Sequence, residues 1–235
     1  MSGESFDLFS RKELKALIYP LLCEQLLVLL VGIADTFVVS YAGEAAVSGV
    51  SLVNSFNTIF IYLFIALSSG GAVIISQYIG SGSPEKAGEA ASQLLSISVI
   101  FSTAVSVLSL VFCDPLLRLL FGRVDDDVME ACRTYLRISA YSYPAIAVYD
   151  AGAALYRSIG RTSVTMNISI VENIINIAGN VIGVFVFHAG VAGVAYPSLI
   201  SRAFAAAAVT ICCFSGKNQV RYRWRWIFRR NADLM

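Results

Sequence analysis

Charge is scarce in this chain: Asp, Glu, Lys and Arg supply 14% of its 235 residues, against roughly 25% in soluble domains. Histidine is scarcer still, since His188 stands alone. A His-centred metal site, or an acid–base pair built on imidazole, therefore has no material. The five cysteines, Cys23, Cys113, Cys132, Cys212 and Cys213, make neither a CxxC nor a ligand spacing with His188. They read as small apolar residues of helices. Cys113 and Cys132 bracket one polar loop and would pair only if that loop faced an oxidising space. No nucleophile–base arrangement and no phosphate-cradling loop is present, so the pattern is not that of an enzyme and implies no cofactor. The formal net charge of +1 gives no reason to expect a nucleic-acid partner. The first residues, MSGESFDLFSRKELK, are polar, and the apolar run behind them is too long for a signal-peptide core.

What the chain does have is long apolar runs. Hydrophobic residues make up 57% of it, and its mean hydropathy is +0.72. Six segments reach the ~20 apolar residues that a spanning helix needs: approximately 14–42, 47–79, 90–112, 134–155, 164–187 and 191–214. Short polar stretches separate them. The expected fold is an all-α membrane protein, a bundle of six transmembrane helices. Residues 1–13 form an N-terminal segment and 215–235 a basic tail. The second run, roughly 50 Å long as a helix, exceeds the ~30 Å hydrocarbon core and must tilt, kink or project.

Basic residues set the expected orientation. Arg11, Lys12, Lys15, Lys86, Arg157, Arg161, Lys217, Arg221, Arg223, Arg225, Arg229 and Arg230 fall on one side of a six-span bundle. Arg118, Arg123, Arg133 and Arg137 fall on the other, beside Asp125, Asp126 and Asp127. Twelve against four places both termini in the cytoplasm, with the cell (plasma or inner) membrane as location. The tail RYRWRWIFRR reads either as a positive-inside anchor with Trp224 and Trp226 at the interface, or as an amphipathic segment for anionic lipid.

Against this background the polar groups within the spans stand out. Asp35 lies deep in the first span, where a carboxylate costs at least a few kcal/mol unless paired, protonated or ion-bound. The others are Glu24, Asp150, Glu172 and Arg202, with Asn54, Asn57, Gln77, Asn167, Asn173, Asn176 and Asn180. Asparagines in lipid serve as interhelical glue, worth ~0.6–2 kcal/mol each. Asn173, Asn176 and Asn180, however, follow at helical spacing and form one polar stripe, which could coordinate a small cation or hold a carboxylate. Both readings stand. Glu24, in the second turn of its span, is expected to be solvated. Asp150 is expected to pair with Arg157 or meet water; Glu172 is deeper and ambiguous, and His188 sits in a solvated turn. Gly179 and Gly183 make a GxxxG, and Ser68–Ala72 is a second small-residue patch. Pro20, Pro144 and Pro197 are candidate bends.

Several stretches resemble one family. IADTFVVSYAGEAAVSGVSLVNS is similar to the first span and following loop of multidrug and toxic compound extrusion (MATE) transporters. GGAVIISQYIGSGSPEKA resembles the end of their second span and the loop after it. ALYRSIGRTSVTMNISIVENIINIAGNVIG and GVAGVAYPSLISR resemble their fourth-to-sixth span region. The likeness covers nearly the whole chain in order and spacing.

The resemblance implies a secondary active antiporter that exchanges Na⁺ or H⁺ for organic cations or other amphipathic compounds. It places Asp35 on the family's first-span acidic residue and Asn176 on an asparagine of the fifth-span cation site. Asn180 stands where some members carry a second aspartate, and Ser198 where they carry a threonine. Tyr135 corresponds to a fourth-span tyrosine. Na⁺ would then bind at Asp35, Asn176 and Asn180, with Asn173 and Glu172 as accessory groups. Members have two six-span lobes around a cavity, so this chain is expected to be the N-terminal lobe. Its implied partners are the bilayer, small amphipathic or cationic substrates, and a C-terminal lobe or second copy. A lipid-linked oligosaccharide flippase of the same superfamily and a non-transporting membrane fragment are the alternatives.

Overall fold

The computed structural model describes residues 11–215, 220–223 and 226. Residues 1–10, Lys217, Trp224, Arg225, Arg229 and Arg230, on which part of the orientation and tail readings rest, lie outside the described residues. The chain forms α1 (Arg11–Ser40), α2 (Glu44–Gly80), α3 (Pro84–Val111), α4 (Cys113–Phe121), α5 (Asp126–Tyr141), α6 (Tyr143–Ser158), α7 (Thr162–Val181) and α8 (Ala192–Phe214). A π-helical turn, Ile182–Val186, extends α7. Among the described residues there is no strand. The end of the bundle at which α1 starts is called basal below, and the opposite end distal.

α1, α2, α3, α7 with its π turn, and α8 are each long and apolar enough to cross a membrane. The fourth expected span, 134–155, is not a single helix. It is divided between α5 and α6, interrupted at Ser142, and neither alone is among the helices long and apolar enough to cross. Pro144 explains the interruption: it lacks the N–H that would bond the carbonyl of Ala140 four residues back. Ser106 of α3 supplies the missing donor, its Oγ–H bonding that carbonyl at 2.7 Å. Ser142 closes the break locally by donating to Ser139 O at 2.7 Å. The distal loop also holds more structure than polar punctuation implied, because α4 lies in it, tied down by Arg133 and Asp114 at 2.5 Å. The second span is one unbroken helix of 37 residues.

Small side chains set the helix spacing. α7 lies against α8 where Gly179 faces Pro197 and Gly183 faces the backbone of Gly193. A Cβ at Gly179 would come within 2.6 Å of Pro197 Cβ, so the GxxxG is a contact surface. Pro197 lies inside α8, and Pro20 inside α1. On α3 the buried face carries Ser98, Ser102, Ser106 and Ser109. Larger side chains fill the two ends: Ile75, Leu155 and Val209 basally, Val53, Leu117 and Leu136 distally. Between them Phe64 and Tyr143 pack together.

The α6–α7 connection shows how sequence fixes direction. Gly160 adopts φ +73°, and the Gly160 and Arg161 N–H groups bond back to Arg157 O and Tyr156 O at 3.1 and 2.9 Å. This is a Schellman closure, which favours glycine at the left-handed position. It launches α7 back through the bundle, where it packs beside α1. The described part of the tail returns onto α3 rather than projecting. Tyr222 and Val220 are buried, Tyr222 N–H bonds Cys213 O at 3.0 Å, and Trp226 abuts Gly88. The Arg223 guanidinium lies 4.5 Å from the Trp226 ring.

Candidate functional site

The π turn and the GxxxG together set the position of Asn180. Glycine contacts draw α7 close to α8, and the wider i→i+5 turn begins two residues after Asn180, at Ile182. π turns of this kind recur at functional sites. Asn180 is buried and faces Asp35 of α1, which is half-buried.

A continuous chain of hydrogen bonds follows from that placement. Asn180 Nδ2 donates to Asp35 Oδ1 at 2.6 Å and to Asn176 Oδ1 at 3.1 Å. Asn176 Nδ2 donates to Ser198 Oγ at 2.9 Å, and Ser198 Oγ donates to Val194 O at 2.9 Å. With Asp35 ionised, the direction of the Asn180 amide follows from chemistry, because reversing it would set its oxygen against two acceptor oxygens. Its Oδ1 therefore points elsewhere, buried and without a hydrogen-bond partner. An orphaned amide oxygen on the residue that holds a carboxylate is an unused acceptor for a hard monovalent cation or a proton donor.

Asp35, Asn176, Asn180 and Ser198 are thus brought together. Tyr135 is buried nearby on α5, within reach of the charges of Asp35 and Arg202. Asn173 does not join the chain: its Nδ2 turns to Ser169 Oγ at 3.4 Å. The stripe that faces α1 runs through Glu172, Asn176 and Asn180, at spacings of four, rather than through Asn173. Among the described residues no three His, Cys, Asp or Glu side chains gather closely enough to hold one metal ion. The site is built from one carboxylate, amides, a hydroxyl and a carbonyl.

Arg202 is the group the sequence reading left unassigned. It is half-buried on α8, its Nη1 donates to Ser142 Oγ at 2.8 Å, and its charge acts on both Asp35 and Glu172. It links the α5–α6 break electrostatically to the Asp35 network. Its depth in the membrane was the available signal. A second polar contact, Tyr143 Oη–H to Asn57 Oδ1 at 2.6 Å, fixes the start of α6 against α2.

Two sequence expectations change. Glu24 is not simply solvated, since it accepts a hydrogen bond from Tyr149 Oη at 3.0 Å. Asp150 closes no ion pair with Arg157; that charge reaches it only at longer range, and its Oδ2 is buried without a hydrogen-bond partner.

Comparison with known proteins agrees with this architecture. The family model MatE matches residues 20–182. An uncharacterized transporter of Bacillus subtilis, YisQ, is 31% identical over 205 residues, covering 86% of this chain and 43% of that protein. A probable multidrug resistance protein, NorM of Thermotoga maritima, is 27% identical over 208 residues, covering 87% and 44%. The chain spans somewhat under half the length of these relatives. A solved structure of a MOP superfamily transporter from Pyrococcus furiosus superposes with a TM-score of 0.88 at 22% identity, over 95% of this chain and 49% of that one. A structure of MATE in the bent conformation gives 0.85 at 23% identity, over 94% and 50%. At that identity the likeness is one of fold.

Proposed function

This chain belongs to the MatE family, and from that premise we propose that it forms one lobe of a secondary active antiporter exchanging Na⁺ or H⁺ for organic cations or other amphipathic compounds. Asp35 carries the coupling charge. Asn180 and Asn176 orient it, and Ser198 anchors Asn176 to the Val194 carbonyl. The observation that carries this reading is the unbroken hydrogen-bonded chain from Asp35 to Val194 O, in which Asn180, the residue that bonds Asp35, keeps its Oδ1 unpartnered. A cation at Asp35 would take that oxygen as a ligand. A proton on Asp35 would remove the charge that holds Asn180.

The rest of the reading follows from family and charge. The substrate cavity would lie between this lobe and a second one, with both described termini on the cytoplasmic face of the cell membrane. Either ligand would change the hold of α1 on α7, and so the shape α1 offers to the cavity. The test is gradient-driven efflux of a lipophilic cationic dye by the transporter that contains this lobe. Asp35→Asn should reduce efflux to background at unchanged expression. Undiminished efflux would remove Asp35 from the coupling step.

A further inference from the structure

Three carboxyl groups lie near enough on the basal side of the Asp35 network for their charges to act on one another, and that network uses none of them. Glu24 of α1, Asp150 of α6 and Glu172 of α7 are each half-buried. Tyr149 stands among them: its Oη lies 3.0 Å from Glu24 Oε1 and 3.3 Å from Thr165 O. The charges acting on Asp150 come from Arg157 on its own helix, Glu24 on α1 and Glu172 on α7. Glu172 in turn faces Arg202 on α8 and Glu24. Asp150 Oδ2 is sealed from solvent and receives no hydrogen bond.

An ionised carboxylate in that position would be poorly solvated, with two like charges, Glu24 and Glu172, set against one opposite charge, Arg157. A metal ion is poorly served, because no three such side chains converge on one point among the described residues. A proton needs no such convergence. It binds one oxygen, and neighbouring acids share it.

The helical spacings join this cluster to Asp35. Glu24 and Asp35 are eleven residues apart on α1, a spacing that returns to nearly the same face after about 16 Å. Glu172, Asn176 and Asn180 share one face of α7 over about 12 Å. α1 and α7 pack together, so their polar faces make one seam.

We propose that Glu24, Asp150 and Glu172, gathered around Tyr149, form a second proton-binding site, joined to Asp35 by the polar seam between α1 and α7. The connection rests on the coupling role given to Asp35; the proton binding does not.

Infrared difference spectra of the protein in lipid nanodiscs, titrated in pH, read the carbonyl stretch of protonated carboxylic acids directly. A titrating component should be lost in Asp150→Asn, and its midpoint should shift in Tyr149→Phe and in Glu172→Gln. An unchanged spectrum in folded Asp150→Asn overturns the proposal, whatever Asp35→Asn does. If Asp150→Asn fails to fold, Tyr149→Phe decides: an unshifted component overturns it. A component that disappears on adding NaCl at fixed pH marks a metal ion and also overturns it. Asp35→Asn is read separately, and a component lost there alone belongs to the Asp35 site.

Discussion

Asn180 Nδ2 donates to Asp35 Oδ1 at 2.6 Å although the two residues are 145 positions apart in the chain. The bond joins α1 to α7 at the point where α7 widens into its π turn. It also leaves Asn180 Oδ1 free, so one residue both holds the carboxylate and offers a ligand beside it. Asn180→Leu should therefore lower stability as well as ion binding. Removing a donor from a buried carboxylate costs about 1–3 kcal/mol. Thermal unfolding in detergent, with and without Na⁺, checks this: the variant should melt earlier and lose any Na⁺-dependent stabilisation.

Asn180→Asp tests the same site from the other direction. It sets a second carboxylate against Asp35 Oδ1, and two adjacent carboxylates do not both ionise. The expected outcome is a folded protein whose ligand affinity depends more steeply on pH than the parent's. Na⁺ or substrate-analogue titrations at several pH values measure the slope. An equal slope in both proteins would show that residue 180 does not face Asp35.

The seam between α7 and α8 gives a packing prediction. Gly183→Ala forces a methyl into the Gly193 backbone, and Gly179→Ala forces one onto the Pro197 ring. Overpacking of this kind costs about 1–3 kcal/mol. Gly70 on α2 has nothing within 4 Å of its would-be Cβ, so Gly70→Ala should be neutral or slightly stabilising. Melting temperatures of the three variants should separate accordingly, and Gly183→Ala should also weaken ion binding because Asn180 rides on the same turn.

The α5–α6 break predicts non-additivity. Ser106→Ala leaves the Ala140 carbonyl without its donor, a loss of about 1 kcal/mol. Pro144→Ala restores a backbone N–H that can bond the same carbonyl. In the double variant Ser106→Ala should therefore cost less than it does alone, which a double-mutant cycle on unfolding free energies reads directly.

These contrasts show what was legible in the sequence. The apolar runs marked five helices long and apolar enough to cross a membrane, because lipid demands length and hydrophobicity together. Asp35, Asn176, Asn180 and Ser198 were legible through their cost at depth and the family likeness, and they do share one hydrogen-bonded chain. Asn173 stays outside that chain: a spacing of three and one of four both satisfy a helical face, and only the rotation of α7 against α1 separates them. The Tyr149–Glu24 contact was illegible: it joins residues 125 positions apart, and no local pattern carries that distance. Pro144 announced a bend, but not that Ser106 would supply the lost bond.

Two groups outside the spans predict an alkaline weakness. Burial pushes the Cys113 thiol above its ordinary value, against the lowering influence of Arg137. Burial likewise holds the Tyr222 phenol well above its own. Each folded-state pKa lies above the unfolded one, so the folded state keeps its proton longer. Stability is then full below the unfolded values, about 8.5 for thiol and 10 for phenol, and falls as pH rises through the gap. Unfolding midpoints measured from pH 7 upward should decline first over the thiol range and again over the phenol range. Cys113→Ala should shrink the first decline and leave the second in place. Cys113 and Cys132 are both free thiols here, so a reductant should leave the curve unchanged.

Arg202 offers the last test, because it joins two parts of the molecule. Its charge acts on Asp35 while its Nη1 holds Ser142 at the α5–α6 break. A cation at Asp35 must bind against that positive charge. Arg202→Gln removes the repulsion and should tighten Na⁺ binding on the order of tenfold, the effect of ~1.4 kcal/mol between unit charges in a partly screened interior. The same variant should slow transport, since a site that binds more tightly also releases less readily. Arg202→Lys keeps the charge but lacks the planar fork that reaches Ser142, so its Na⁺ affinity should stay near that of the parent while the break loosens. Binding by calorimetry and hydrogen exchange around 140–144 separate the two effects. If Arg202→Gln leaves affinity unchanged while Arg202→Lys raises exchange, the arginine acts only as a brace for the α5–α6 break and not on the ion.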